Sequence, residues 1–199
     1  MVPDNSSSDE LTLNTAERQY LLQLARQSLI NAVAGNPPPE IKSEGLSDKL
    51  RQLGASFVTL THCGNLRGCI GALEPYQSLV EDVREHAAAA ALEDYRFLPV
   101  QLDELPDIHI EISRLTQPKP LYYENPQDLL AKLHPGIDGV VLRDGYRRAT
   151  FLPQVWEKIP RPEDFLAQLC MKMGAAPDLW RRKRLEVLVY QVEEFAEAD

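Results

Sequence analysis

Residues 55–62 (Ala-Ser-Phe-Val-Thr-Leu-Thr-His) are a short run of β-branched and aromatic residues, and residues 66–73 form a second such run. Cys63-Gly64-Asn65 stands between them. Two extended runs joined through a Gly-Asn pair predict a β-hairpin, with a two-residue loop at Gly64 and Asn65. The rest of the chain has to be arranged around this antiparallel pair.

Upstream, Asn14 or Thr15 is placed to cap a helix carrying Leu21, Leu22, Leu24, Ala25, Leu29 and Ile30 at three-to-four spacing, which should end near Gly35-Asn36. A short helix is expected around Leu46 to Leu53. Downstream, Ser78 to Leu92 reads as a helix. Asp107 to Leu115 reads as a half-buried strand, with Ile108, Ile110 and Ile112 on one face and His109, Glu111 and Ser113 on the other. Residues 137–142 and 147–152 flank Asp144-Gly145 as a second hairpin. A helix over 163–173 should stop at Gly174, and residues 185–192 give a last strand. Strands joined mostly by hairpins and interrupted by helices predict an α+β fold with a mainly antiparallel sheet and flanking helices.

At 199 residues the chain suits one core, or one core with a smaller lobe. Residues 1–9 are polar and read as a disordered tail, leaving residues 10–199 as one domain. The longest apolar stretch, Ala87 to Leu92, is far too short to span a bilayer, and the N-terminus lacks the basic and apolar regions of a secretory signal. These features predict a cytoplasmic protein without membrane contact. Three cysteines, an odd number, then point to reduced thiols rather than a disulfide framework. A net charge of −9 argues against nucleic acid as a partner. The charge is uneven: from Arg143 to Arg184 there are 10 Lys/Arg against 5 Asp/Glu. The run Arg181-Arg182-Lys183-Arg184 reads as a solvated helix end or loop, with an anionic partner as the alternative.

A loop at Gly64-Asn65 would set Cys63 opposite Leu66, His62 opposite Arg67 and Leu60 opposite Cys69. Alternation then puts Ala55, Phe57, Thr59, Thr61, Cys63, Leu66, Gly68 and Ile70 on a core face, and His62, Arg67, Cys69 and Gly71 on the other. A thiol, a guanidinium and an imidazole would meet there. The thiolate is the nucleophilic form of cysteine, so Arg67 could favour it and His62 could act as base. Gly68 and Gly71 would let a substrate approach the strand. The competing reading makes Cys69 a small buried hydrophobe and the glycines packing devices. Glu93, Asp94 and Glu111 are candidate acids or bases with nothing to pair them. No metal is expected: His62, Cys63 and Cys69 lack a fourth ligand at a familiar spacing, and Cys170, His109 and His134 are remote. No cofactor is indicated, since Gly64, Gly68 and Gly71 form neither a dinucleotide nor a P-loop fingerprint.

Leu66-Arg67-Gly68-Cys69-Ile70-Gly71 resembles the signature of the AMMECR-type family, whose prokaryotic members are called AmmeMemoRadiSam system protein A. The resemblance continues through Asp94-Tyr95-Arg96-Phe97 and Glu104-Leu105-Pro106, then Gly136-Ile137-Asp138-Gly139-Val140. It extends through Ala149-Thr150-Phe151-Leu152-Pro153-Gln154-Val155-Trp156 and Lys172-Met173-Gly174. Tyr95 replaces the family's usual proline and Met173 its usual alanine. The resemblance implies an α+β fold of a larger and a smaller lobe with a cleft between them, and a functional site lined by the signature. It also implies partnership with a Memo-type protein and a radical S-adenosylmethionine protein, while leaving any small molecule unknown. Three readings follow. In the first the chain is an enzyme or enzyme subunit with Cys69 as nucleophile or acyl/alkyl acceptor, Arg67 holding an anionic group, and Arg96 and Gln154 in the cleft wall. In the second it is a non-catalytic module binding a ligand or a protein, and in the third the hexapeptide only packs the lobes.

Overall fold

The computed structural model describes residues 12–42 and 44–198, so the expected tail over residues 1–9 lies outside the described residues. The chain forms two compact units. One takes the described residues up to Leu115 and resumes at Glu193; the other is Thr116–Val192.

In the first unit, helix α1 (Thr15–Val33) begins at a reciprocal cap. Asn14 Oδ1 accepts from the Glu17 amide at 2.9 Å, and the Glu17 carboxylate accepts from the Asn14 amide at 2.7 Å. Its Leu21, Leu24, Ala25 and Leu29 are buried, as the spacing predicts. A single turn, α2 (Asp48–Arg51), leads into β1 (Leu53–His62), which hairpins into β2 (Asn65–Gly71); β3 (Gln77–Ser78) pairs with the start of β1. Helix α3 (Leu79–Leu92) opens with Glu81 accepting from the Ser78 hydroxyl at 2.6 Å. A 3-10 turn (Leu102–Asp107) precedes β4 (Ile108–Leu115), and the chain's last strand, β9 (Val192–Ala196), completes a sheet ordered β2-β1-β4-β9. The core joins Leu21, Leu29, Val58, Leu60, Val83, Ala87, Ile110 and Ile112. The isoleucines of β4 point inward as their alternation predicts.

The second unit is built from β5 (Lys119–Pro120), α4 (Pro126–Lys132), β6 (Gly139–Asp144), β7 (Arg147–Phe151), α5 (Val155–Lys158), α6 (Pro162–Lys172), α7 (Leu179–Arg182) and β8 (Glu186–Tyr190). Its sheet is ordered β5-β8-β6-β7. It has its own core, in which Trp156 stacks on Phe165 with ring centroids 3.6 Å apart and Trp156 Nε1 donates to the Asp138 carbonyl at 2.7 Å. The basic run at its end is engaged within the unit. Arg182 pairs with Asp178 and Lys183 with Asp144, while Arg181 lies over the Trp180 ring and Arg184 over Tyr123. Helix α4 was not expected, although Asn125 capping it ahead of Pro126 is a legible start signal.

The register of the first hairpin differs from the one its sequence suggests. Cys63 (φ 49°) and Gly64 (φ 77°) are both left-handed, so these two residues form the turn, one position earlier than Gly64-Asn65. His62 therefore faces Asn65 and Thr61 faces Leu66; a bulge then absorbs Arg67, after which Leu60 faces Gly68 and Thr59 faces Cys69. This corrects the faces of β1: Val58 and Leu60 point into the core with Gly68 and Ile70, while Phe57, Thr59 and Thr61 lie on the side of Cys69 and Gly71. A left-handed cysteine is strained where asparagine is tolerated. Cys63→Asn is therefore expected to raise unfolding stability by about 0.5–1 kcal/mol, measured by urea titration, whereas Cys63→Val should lower it.

Candidate functional site

Because β2 is an edge strand, the outward amide and carbonyl of Cys69 have no strand to pair with. The segment after α3 supplies partners. Asp94 Oδ2 accepts from the Cys69 amide at 2.9 Å, and Arg96 Nη2 donates to the Cys69 carbonyl at 3.4 Å. Asp94 and Arg96 hold each other through contacts of 2.6 and 2.9 Å, with the carboxylate almost fully buried and the guanidinium half exposed. The Arg96 guanidinium, followed by the Cys69 and Arg96 amides, holds the Asp94 carboxyl well below the usual carboxylate range against the opposing effect of burial. The Cys69 main chain is thus clamped on the side away from β1.

Two positions earlier, Arg67 stands unpaired in the bulge. Its guanidinium forks onto Glu104 at 2.7 and 3.0 Å and donates to the Leu98 carbonyl at 2.9 Å. Glu104 is consequently held down at about 2, chiefly by Arg67 and then by the Gln101 amide, with a weaker pull from His62. Both carboxylates have folded-state values depressed below their unfolded ones. Their stabilisation is complete above the unfolded range near pH 4 and is lost as pH falls through the folded values. Stability should drop between about pH 4.5 and 2, and Glu104→Gln should flatten that drop while lowering stability at pH 7; urea midpoints at pH 7, 4 and 2.5 measure both.

The glycines of the hexapeptide have steric causes. A Cβ on Gly68 would stand 2.1 Å from the Ala90 carbonyl oxygen of α3, and one on Gly71 would stand 2.4 Å from both the Ser56 carbonyl oxygen and the Phe57 ring. What remains open is the thiol. Cys69 is half-buried, and its Sγ accepts from the Thr59 hydroxyl at 3.2 Å. Thr59 is in turn directly opposite Glu111 of β4, so thiol, hydroxyl and carboxylate form one row across three strands on the face away from α3.

The residues singled out from sequence are therefore distributed differently. Cys69 and Gly71 share the predicted face, but the cation that contacts Cys69 is Arg96, at the Cys69 carbonyl, and its own proton is held chiefly by Asp94. Arg67 is turned to Glu104, and His62 sits on the strand parity of Leu60, toward Glu104. Gln154 belongs to the second unit, at the start of α5. Cys63 is exposed in the turn and Cys170 is buried in α6, where desolvation pushes its thiol up. Among the described residues no group of three or more His, Cys, Asp or Glu gathers as a metal cluster, and no helix is long and apolar enough to cross a membrane.

Sequence reasoning missed a buried polar cluster between α3 and β1. Ser56 Oγ donates to Asp82 Oδ2 at 2.6 Å, His86 Nδ1 lies 3.2 Å from the same oxygen, and the buried Asp82 Oδ1 has no hydrogen-bond partner among the described residues. The spacing of Asp82 and His86, four apart on one helix, was its only signal.

These features define a class: an α+β protein of two units with antiparallel sheets and flanking helices, whose edge strand is clamped around a half-exposed thiol. The AMMECR1 family model matches residues 22–195, and the chain belongs to this family. A protein of Methanothermobacter thermautotrophicus is 37% identical over 190 residues, covering 93% of this chain and 96% of its own. Protein MK0488 of Methanopyrus kandleri is 35% identical, covering 96% and 92%. The crystal structure of uncharacterized protein PH0010 from Pyrococcus horikoshii is similar at a TM-score of 0.71 and 32% identity, covering 89% of this chain and 90% of that one.

Proposed function

We propose that the chain acts as an enzyme or enzyme subunit through Cys69, serving a modification system with Memo-type and radical S-adenosylmethionine partners. The observation that carries this reading is the Thr59 hydroxyl donating to the Cys69 sulfur at 3.2 Å while both main-chain groups of Cys69 are fixed by Asp94 and Arg96. A thiol so oriented, on a strand whose main chain is fixed, is suited to attack or to receive an acyl or alkyl group. Glu111, in the same row, replaces His62 as the candidate acid or base. Thr59, Arg96 and Glu111 are the residues this reading adds to Cys69.

The test is intact-mass analysis of the full chain after incubation with cell extract or purified pathway partners. The expected result is one adduct mapping to Cys69, absent in Cys69→Ser and slower to form in Glu111→Gln. The Cys63→Asn background removes the exposed competing thiol. No adduct at Cys69 under any of these conditions would overturn the reading. A second reading, a non-catalytic module binding a ligand or a protein, is favoured by the engagement of Arg67, Gly68 and Gly71 in contacts within the unit. Under it, Cys69→Ser retains full partner affinity.

A further inference from the structure

The segment after α3 shows large apolar side chains where a loop would ordinarily be polar. Tyr95 is 94% exposed, Leu98 83% and Leu102 61%, all within eight residues, and Leu66 beside Arg67 is exposed as well. Scattered exposed apolar residues need no explanation; three in one short loop do.

The loop is also held in place. Arg67 bonds the Leu98 carbonyl and both oxygens of Glu104. The Phe97 amide donates to the Asp94 carbonyl at 3.0 Å, and the Val100 amide to the Ala91 carbonyl at 2.9 Å, with Val100 itself buried. Gln101 closes the far end, its amide donating to Glu104 at 2.8 Å and its side chain to the Pro99 carbonyl at 2.9 Å. An anchor ordered before it binds loses little freedom on binding, and a rigid tyrosine among leucines is the composition of an interface hot spot.

Charge selects the occupant. Over residues 93–107 there are five carboxylates, of which Asp94 and Glu104 are matched by Arg96 and Arg67. Glu93, Asp103 and Asp107 remain, all exposed and with no opposite charge bonded to them among the described residues. The apolar anchors are therefore flanked along the chain by uncompensated negative charge. A second copy of this chain meeting the same surface would set like charge against like, which disfavours it.

We propose that the segment from Tyr95 to Leu102 is a docking surface for a protein whose matching patch is an apolar hollow ringed by lysine and arginine. The anchors Tyr95, Leu98 and Leu102 are distinct from Arg96, which lies between them in sequence and clamps the Cys69 carbonyl, and docking through them is compatible with either reading of the thiol.

The test uses the full chain and two synthetic amphipathic helical peptides as probes, one of leucine and lysine and one of leucine and glutamate, titrated by calorimetry. The leucine/lysine peptide is expected to bind, and Tyr95→Ala with Leu98→Ala to weaken it at least tenfold, with circular dichroism confirming an unchanged fold. Asp103→Asn with Asp107→Asn should weaken binding several-fold at low salt and flatten its salt dependence, whereas Cys69→Ser should bind like the parent. Equal binding of the leucine/glutamate peptide overturns the charge assignment. Binding that survives loss of Tyr95 and Leu98 overturns the site. Self-association that depends on Tyr95 and Leu98 gives the surface to a second copy and overturns the proposal.

Discussion

Ile110→Ala should cost about 4 kcal/mol of unfolding free energy, read as a fall in the urea midpoint at unchanged m. Ile110 is fully buried in β4, an interior strand of the first sheet, and stands directly opposite Leu60. Removing its three outer carbons opens a cavity walled by strands on both sides, where close-packed neighbours relax only partly. Ile30 is the control: it sits at the exposed limit of α1 at 36% exposure, and Ile30→Ala should cost about 1 kcal/mol or less. A cost for Ile110→Ala no larger than the control's would show that β4 presents its other face to the core.

Gly68→Ala should be nearly as damaging, at about 3 kcal/mol, for the opposite reason. The added methyl meets the Ala90 carbonyl oxygen at 2.1 Å, and that oxygen belongs to the backbone of α3, so no rotamer change relieves the contact. Helix or strand has to shift, and with it the Asp94–Arg96 clamp that follows α3. The variant should therefore show disturbed reactivity at Cys69 as well as a lower urea midpoint. If Gly68 were small only to admit a substrate, Gly68→Ala would fold with unchanged stability, and this account of the hexapeptide would be wrong.

The elements whose cause is local were legible in the sequence. The cap at Asn14, the leucine spacing of α1, the alternating isoleucines of β4 and the helix stop at Gly174 all depend on near neighbours, and the structure has them where they were expected. The hairpin was legible as a hairpin but not in its register. Gly-Asn is the stronger turn signal, yet the turn falls on Cys63-Gly64, and the bulge at Arg67 restores a face that lets Gly68 slide beneath α3. That requirement comes from a helix more than ten residues away and leaves no mark on the strands themselves. Strand β9 is not predicted from the sequence, because Val192–Ala196 is rich in glutamate and its partner β4 is distant in sequence.

At the candidate site, the thiol and its exposed face were readable, but its neighbours were not. Arg67 finds Glu104 across 37 positions and Cys69 finds Asp94 across 25, separations at which spacing carries no information. His62 illustrates the cost of a parity error: the bulge at Arg67 slips the pairing by one residue and leaves His62 on the face opposite Cys69.

The route of the chain has a kinetic consequence. The second unit is inserted between β4 and β9, and its two ends are tied together: the Thr116 amide donates to the Gln191 carbonyl at 2.8 Å, and the Gln191 amide to Thr116 Oγ1 at 2.8 Å. Pairing β9 with β4 in an unstructured chain would require closing the whole Thr116–Val192 loop, whose entropy cost rises with length. Once the inserted unit has folded, Thr116 and Gln191 are already neighbours, and β9 arrives beside β4 as though the two strands were joined by a short turn. The insertion then acts as a tether that shortens the search, and the first sheet should finish assembling only after the second has formed.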